Sequence, residues 1–215
     1  MKTAKKVLIC SSGLINHLHE YIKYEFIHSG VDPQNVYPPL GEKKPELKLT
    51  GLLKQKKQDV AIKPTHLQPV KQKITWGPLA FENKTDAYGP ELTQEILSVN
   101  VRSQLSSLAK NSDTLFERTY AESTNFHEIH KKMVLGEVFL IPTHEYDEEC
   151  MKQNQIGFKE TSVKLEKYIS FFSQLTGRTS ATDSGYKYER CALLIVDFRH
   201  DIPKLYTSTE ELKRN

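Results

Sequence analysis

Cysteine is scarce in this chain: Cys10, Cys150 and Cys191 are the only three, far apart and at no ligand-like spacing. An odd, scattered set argues against a disulfide framework or a zinc knuckle and fits a reducing, cytoplasmic compartment. Long hydrophobic runs are lacking too, and no stretch approaches the ~20 apolar residues that span a bilayer. The short run Val7–Cys10 mimics a secretory or lipoprotein signal but is broken at once by Ser11, Ser12 and Gly13. No Gly-x-Ser-x-Gly and no phosphate-cradling glycine loop occurs, so serine-nucleophile and nucleotide-loop chemistry lack their residues. Internal repeats, low-complexity tracts and linkers are missing as well. A chain of 215 residues without them reads as a single domain, 1–215, with a proper core.

What is present is positive charge in one place. The net charge is only +3, but between Glu42 and Thr75 lie nine lysines against Glu42, Glu46 and Asp59. Concentrated positive charge fits a polyanionic partner, whereas a lysine run by itself describes a solvated hairpin.

Hydrophobic spacing gives the elements. Leu14, Leu18, Ile22 and Phe26 recur every four positions and predict a helix over 14–29, ended by Gly30. After a proline-rich loop, 47–53 and 59–62 form an expected antiparallel pair, and 70–84 a third strand. Leu97, Val101, Leu105 and Leu108 predict a helix whose pattern restarts at 113–121. The apolar runs 133–141 and 191–198 read as buried strands. Between them Leu165, Ile169, Phe172 and Leu175 mark another helix. The fold class is therefore α/β, a mixed sheet flanked by helices in the order αβββαβαβ.

Two segments carry chemistry. In one, Asp59 opens the apolar stretch Val60-Ala61-Ile62. In the other, Leu79-Ala80-Phe81-Glu82-Asn83-Lys84, an acid ends an apolar run with a lysine two positions on. Residues two apart on a strand share a face, so Glu82 and Lys84 would project together, with Phe81 turned into the core. If the two strands pair, Asp59 and Glu82 can share one divalent metal, a constellation that hydrolyses phosphodiesters. Magnesium prefers such hard oxygens and retains waters; the ion activates one of them and polarises the phosphate. Lys84 would then hold the attacking water or offset developing charge. Glu-x-Lys is a cheap pattern, also found at Glu42, Glu46 and Glu211. The copy at Glu82 stands out because it ends an apolar run 23 positions after Asp59.

This order resembles the common core of the PD-(D/E)XK nuclease superfamily, which includes most type II restriction endonucleases, over about 14–198. The stretches Asn100–Ser107 and Val134–Val138 are also similar to restriction-enzyme sequences. Gln58 stands where the family often has proline, and Asn83 where a hydrophobic residue is usual; Asn-Lys-Thr-Asp is equally a turn. The resemblance implies Mg2+-dependent, sequence-specific hydrolysis of double-stranded DNA by Asp59, Glu82 and Lys84, with the Asn83 carbonyl as a further metal ligand. It also implies a homodimer matched to a palindromic site and a cognate DNA methyltransferase as genetic partner in a restriction-modification system. A repair or recombination nuclease of the same fold, or a non-catalytic DNA-binding module, is the alternative.

Other residues have two readings. Glu25 is a solvated helix glutamate or, by the resemblance, an auxiliary metal carboxylate. Glu137, an acid inside an apolar strand, needs a partner such as Arg102 or touches the site. Arg102 and Gln104, placed on the helix after Lys84, face the DNA backbone, or form ordinary helix surface or a buried hydrogen-bond network. Lys63, Lys71 and Lys73 belong to the basic run, and Arg178 and Lys187 sit in a basic loop with Tyr186 and Tyr188 that enters a groove or merely connects. His17, His19, His127 and His130 lack a completing ligand and read as surface positions.

Overall fold

A computed structural model describes residues 13–213; the run ending at Cys10 lies outside them. Along the chain come α1 (Gly13–His28), β1 (Val36–Tyr37), β2 (Lys48–Thr50), β3 (Gln55–Lys57), β4 (Val60–Ile62), β5 (Gln72–Lys73), β6 (Thr85–Asp86), α2 (Gly89–Thr93) and β7 (Leu97–Ser103). Then follow α3 (Leu108–His127), β8 (Val134–Pro142), β9 (His144–Tyr146), α4 (Glu148–Lys152), β10 (Phe158–Ser162), α5 (Leu165–Leu175), β11 (Arg190–Asp197), β12 (Lys204–Tyr206) and α6 (Thr209–Lys213).

Six strands form one mixed sheet in the order β1-β4-β7-β8-β11-β12. β1, β4 and β7 are antiparallel neighbours, β7, β8 and β11 run parallel, and β12 returns antiparallel. Parallel neighbours need long crossovers, and here α3 and α5 lie in those connections. Alternation along each strand then sorts side chains between two layers. Val60, Val99 and Val101 pack with Ile15, Leu18, Ile22 and Phe26 of α1. Phe139, Ile141 and Ile195 pack on the other side with Leu115 of α3 and Phe172 of α5. The central strands read as apolar runs because both faces are covered. Gly30, at φ +97°, ends α1 as its spacing predicts.

Outside the sheet, two small hairpins form an arm. β2 pairs with β3, and β5 pairs with β6. The tip of the first is fastened to α3: the Asn125 side-chain oxygen accepts from the Leu53 and Lys54 amides at 2.7 and 3.1 Å. Gly51 is needed there, since a Cβ would lie 2.2 Å from the Asn125 amide nitrogen.

Three expectations are corrected. The 47–53 segment pairs with 55–57, while Val60–Ile62 pairs with β1 and β7, because the charged stretch at 54–57 is itself a strand after a tight turn. Within 70–84 only Gln72 and Lys73 are extended; residues 78–82 form a 3-10 helix opened by Pro78 and closed by Asn83 in the left-handed region, φ 52°. The predicted helix from Leu97 is instead the central strand β7, and the helix begins at Leu108. Its four-residue spacing overlay a period-two pattern, Leu97-Ser98-Val99-Asn100-Val101, whose polar members are themselves buried. The mixed sheet flanked by helices stands, and no helix among the described residues is long and apolar enough to cross a membrane.

Candidate functional site

Where β4 begins, the sheet, α1 and α3 enclose a cleft of about 430 Å³, lined by Ile15, Lys56, Asp59, Arg102, Gln104 and Arg118 among others. Each element contributes for a local reason. Asp59 precedes β4 and continues its pairing with β7, its Oδ2 accepting the Val101 amide at 2.9 Å. Lys56 is opposite Leu49 in the β2–β3 register, so it shares Leu49's inward face and reaches over the sheet. Asn100 and Arg102 occupy alternate positions on β7, opposite Glu137 and Phe139 of β8.

Beneath the cleft these side chains form a buried charge cluster. Lys56 donates to Asn100 Oδ1 at 2.7 Å and is paired with Glu122 of α3. Arg102 is paired with the same Glu122, donates to Thr119 Oγ1 at 2.9 Å and lies 3.1 Å from Glu137. Glu122 and Glu137 are almost fully buried. Burial pulls the Lys56 ammonium down to about 8, against the pull of Asp59 in the other direction. Burial likewise pushes the Glu137 carboxyl up to about 7, although Arg102 and Lys56 oppose it. Desolvation therefore outweighs pairing at both groups, and both titrate near neutrality.

The candidate residues divide sharply. Asp59 lies at the cleft and Arg102 and Gln104 line it, but Arg102 is on β7 and Gln104 directly follows it, not on the helix expected of them. Glu82 and Lys84 stand apart: they pair with each other, are each 46% exposed, and sit beside the left-handed Asn83. The strand carrying Asp59 pairs with β7 instead, and Asn100-Val101-Arg102 occupies the place given to Glu82-Asn83-Lys84. An amide and a guanidinium replace a carboxylate and an ammonium there; Glu122, Glu137 and Lys56 bring those groups from other elements. Glu122 and Lys56 were missed because neighbours in space here lie on a hairpin and a helix with no common spacing in sequence. The pairing of Glu137 with Arg102 is present.

Several others serve the fold. Lys63 is buried, donating to the Leu67 carbonyl at 3.0 Å. Arg178 is buried between Glu189, at 2.6 Å, and the Lys131 carbonyl. Tyr188 is fully buried and Lys187 half-buried, so the loop they share is a packed connection rather than a free finger. Lys71 and Lys73 are exposed, as is Glu25. His127 and His130, expected at the surface, are fully buried with both ring nitrogens against backbone carbonyls.

Among the described residues no three His, Cys, Asp or Glu side chains converge as a preformed metal cage. Magnesium does not require one: it is held by one or two carboxylates, with waters and substrate phosphates completing its octahedron. Asp59, on the cleft wall with its carboxylate at the Val101 amide, fits that mode, whereas Glu122 and Glu137 are held by the two cations. Comparison with protein-family models, with curated proteins and with solved structures returned no match.

Proposed function

We propose that this chain is a magnesium-dependent endonuclease that hydrolyses double-stranded DNA with sequence specificity, in the manner of a type II restriction enzyme. The observation that carries the reading is positional. Apart from the two hairpins of the arm and the short α2, a helix, three antiparallel strands, a crossover helix and a parallel strand follow one another, and an aspartate at the start of the second of these strands opens into a cleft with basic walls. That αβββαβ order is the one the PD-(D/E)XK resemblance implies, although β1 and β7, which flank the strand at 60–62, are built from residues other than the expected 47–53 and 70–84.

In this reading Asp59 holds magnesium, which supplies Lewis-acid polarisation of the scissile phosphate. Lys56 takes the part first given to Lys84: its ammonium stands at the cleft floor, desolvated and therefore strongly felt by charge developing on the phosphate. Arg118, exposed on the α3 wall, and Gln104 are placed to orient the DNA backbone. Two copies of the chain would match a two-fold palindromic site and cut both strands, with a DNA methyltransferase protecting the host.

The test is incubation of the purified protein with unmethylated phage DNA, with and without magnesium. Discrete fragments that need magnesium and vanish in Asp59→Ala support the reading. DNA left intact across metals and salts, with cutting only at branches or lesions, moves the assignment to a repair nuclease. Binding with no cutting on any substrate moves it to a non-catalytic DNA-binding module.

A further inference from the structure

The arm carries one side chain that neither the core nor the cleft explains. Phe81 is 93% exposed, more than any other large hydrophobic among the described residues. Its loop is anchored all the same. Leu79 and Ile74 are buried, and the Trp76 indole donates to the Gly51 carbonyl at 3.2 Å. Gly77, at φ +56°, lets the backbone lie against Leu52, where a Cβ would come within 2.3 Å of the carbonyl oxygen. With three residues per turn in the 3-10 helix, Leu79 and Phe81 cannot share a face. Anchoring Leu79 inward therefore holds the phenyl ring outward.

The surroundings of that ring are cationic. Lys71 and Lys73 of the same hairpin are exposed, and Glu82, the acid beside Phe81, is neutralised by Lys84. The hairpin is also tied to the cleft. On β3, Lys56 points inward to the charge cluster, while Gln55 points outward and donates to the Thr85 carbonyl at 2.9 Å. Along α3, the arm's anchor at Asn125 is seven residues from Arg118 of the cleft wall, or roughly 10 Å at the rise of a helix.

We infer that the β5–β6 hairpin is a second DNA contact, at which Phe81 stacks on or wedges between bases while Lys71 and Lys73 lie against phosphates. This rests on the proposed DNA substrate. So exposed a ring on a lysine-bearing hairpin is suited to nucleic acid, whose bases offer flat apolar faces inside a polyanionic frame. Because the hairpin covers the outer face of β2–β3, the contact falls on duplex flanking the cleft rather than at the scissile phosphate.

The experiment uses a set of duplexes with 2-aminopurine at successive positions, in EDTA so that nothing is cut. Wild type, Asp59→Ala, Phe81→Ala, Phe81→Trp and the Lys71→Ala/Lys73→Ala pair are compared for binding and for fluorescence. Phe81 is exposed, so its replacement leaves the fold intact. Wild type and Asp59→Ala should bind and brighten at one position, reporting an unstacked base. Phe81→Ala should bind roughly tenfold more weakly, the scale of one lost base stack, with no brightening, and Phe81→Trp should retain both. The double lysine variant should flatten the dependence of log affinity on log salt by about two. Phe81→Ala that binds and brightens like wild type overturns the inference and leaves the nuclease reading standing. A change in sedimentation without a change in DNA affinity also overturns it, and assigns the ring to contact between copies of the chain. Wild type that binds no DNA fails one step earlier and overturns the nuclease reading itself.

Discussion

Lys56 and Asn100, 44 positions apart in sequence, meet at 2.7 Å under the cleft, where a hairpin lysine is laid across the central strand. The lysine is desolvated there and loses its proton at about pH 8 rather than in the usual lysine range. If its charge stabilises the phosphate during cleavage, the active form is the ammonium. The rate at saturating magnesium should then fall on the alkaline side, at a pH below that at which an ordinary lysine titrates. Lys56→Ala should lower cleavage by at least about 100-fold, the scale of one lost electrostatic donor, while DNA binding in EDTA survives. Lys56→Arg, whose guanidinium does not titrate in this range, should remove the alkaline limb. An unchanged limb in that variant would sink the assignment.

Glu82 and Lys84 lead to the opposite expectation. They form an exposed ion pair on the arm, and such pairs contribute about 0–1 kcal/mol to stability. Glu82→Ala and Lys84→Ala should each melt like wild type and still cut DNA, while Asp59→Ala does not. Loss of cutting in Glu82→Ala with DNA binding intact would return the carboxylate role to that residue.

These two sites show what a single sequence conveys. The place of Asp59 was legible because an acid opening a short apolar strand is a local signal; α1 and α5 were legible from one apolar face at helical spacing, and β8 and β11 from continuous apolar runs. β7 was not. Its polar residues Ser98, Asn100 and Arg102 look solvent-facing, yet they are covered by Lys56, Glu122 and other groups that no local pattern brings together. The Glu-x-Lys at 82 misled for a related reason: Pro78 and Asn83 set a turn, and turn chemistry overrides apolar spacing. Arg178 and Lys63 were read as free cations because burial of a charge depends on partners distant in the chain.

Arg102 holds two buried carboxylates at once, Glu122 and Glu137. Removing one member of a buried ionic group typically costs about 3–5 kcal/mol, because the charge left behind has neither water nor partner. Arg102→Ala should lose stability on that scale in urea unfolding at pH 7.5. Adding Glu137→Gln to it should recover part of the loss, since the one carboxylate then left, Glu122, still has Lys56. A single variant as stable as wild type would mean that water already reaches the cluster.

Acid should weaken the fold through His127 and His130. Both are fully buried, and burial lowers their proton affinity below the ordinary histidine value of 6.5. The opposing influences are local: hydrogen bonds to Gly185 and Met133 carbonyls and Glu189 at His127, and to Thr50 and Pro90 carbonyls with Asp86 at His130. Arg178 reinforces the lowering at His127. The folded rings are therefore neutral where the unfolded chain has begun to take up protons, so the unfolded state binds more of them. Stability is fully present above about 6.5 and is lost as pH falls below it. Glu137 works in the other sense: its carboxyl holds a proton up to about 7 in the fold but only to 4.5 unfolded, so its contribution is present in acid and lost as pH rises between them. Urea midpoints between pH 7.5 and 5 should fall for wild type, fall less for His130→Gln, and fall more steeply for Glu137→Gln. A His130→Gln profile parallel to wild type would show that this ring does not control the acid limb.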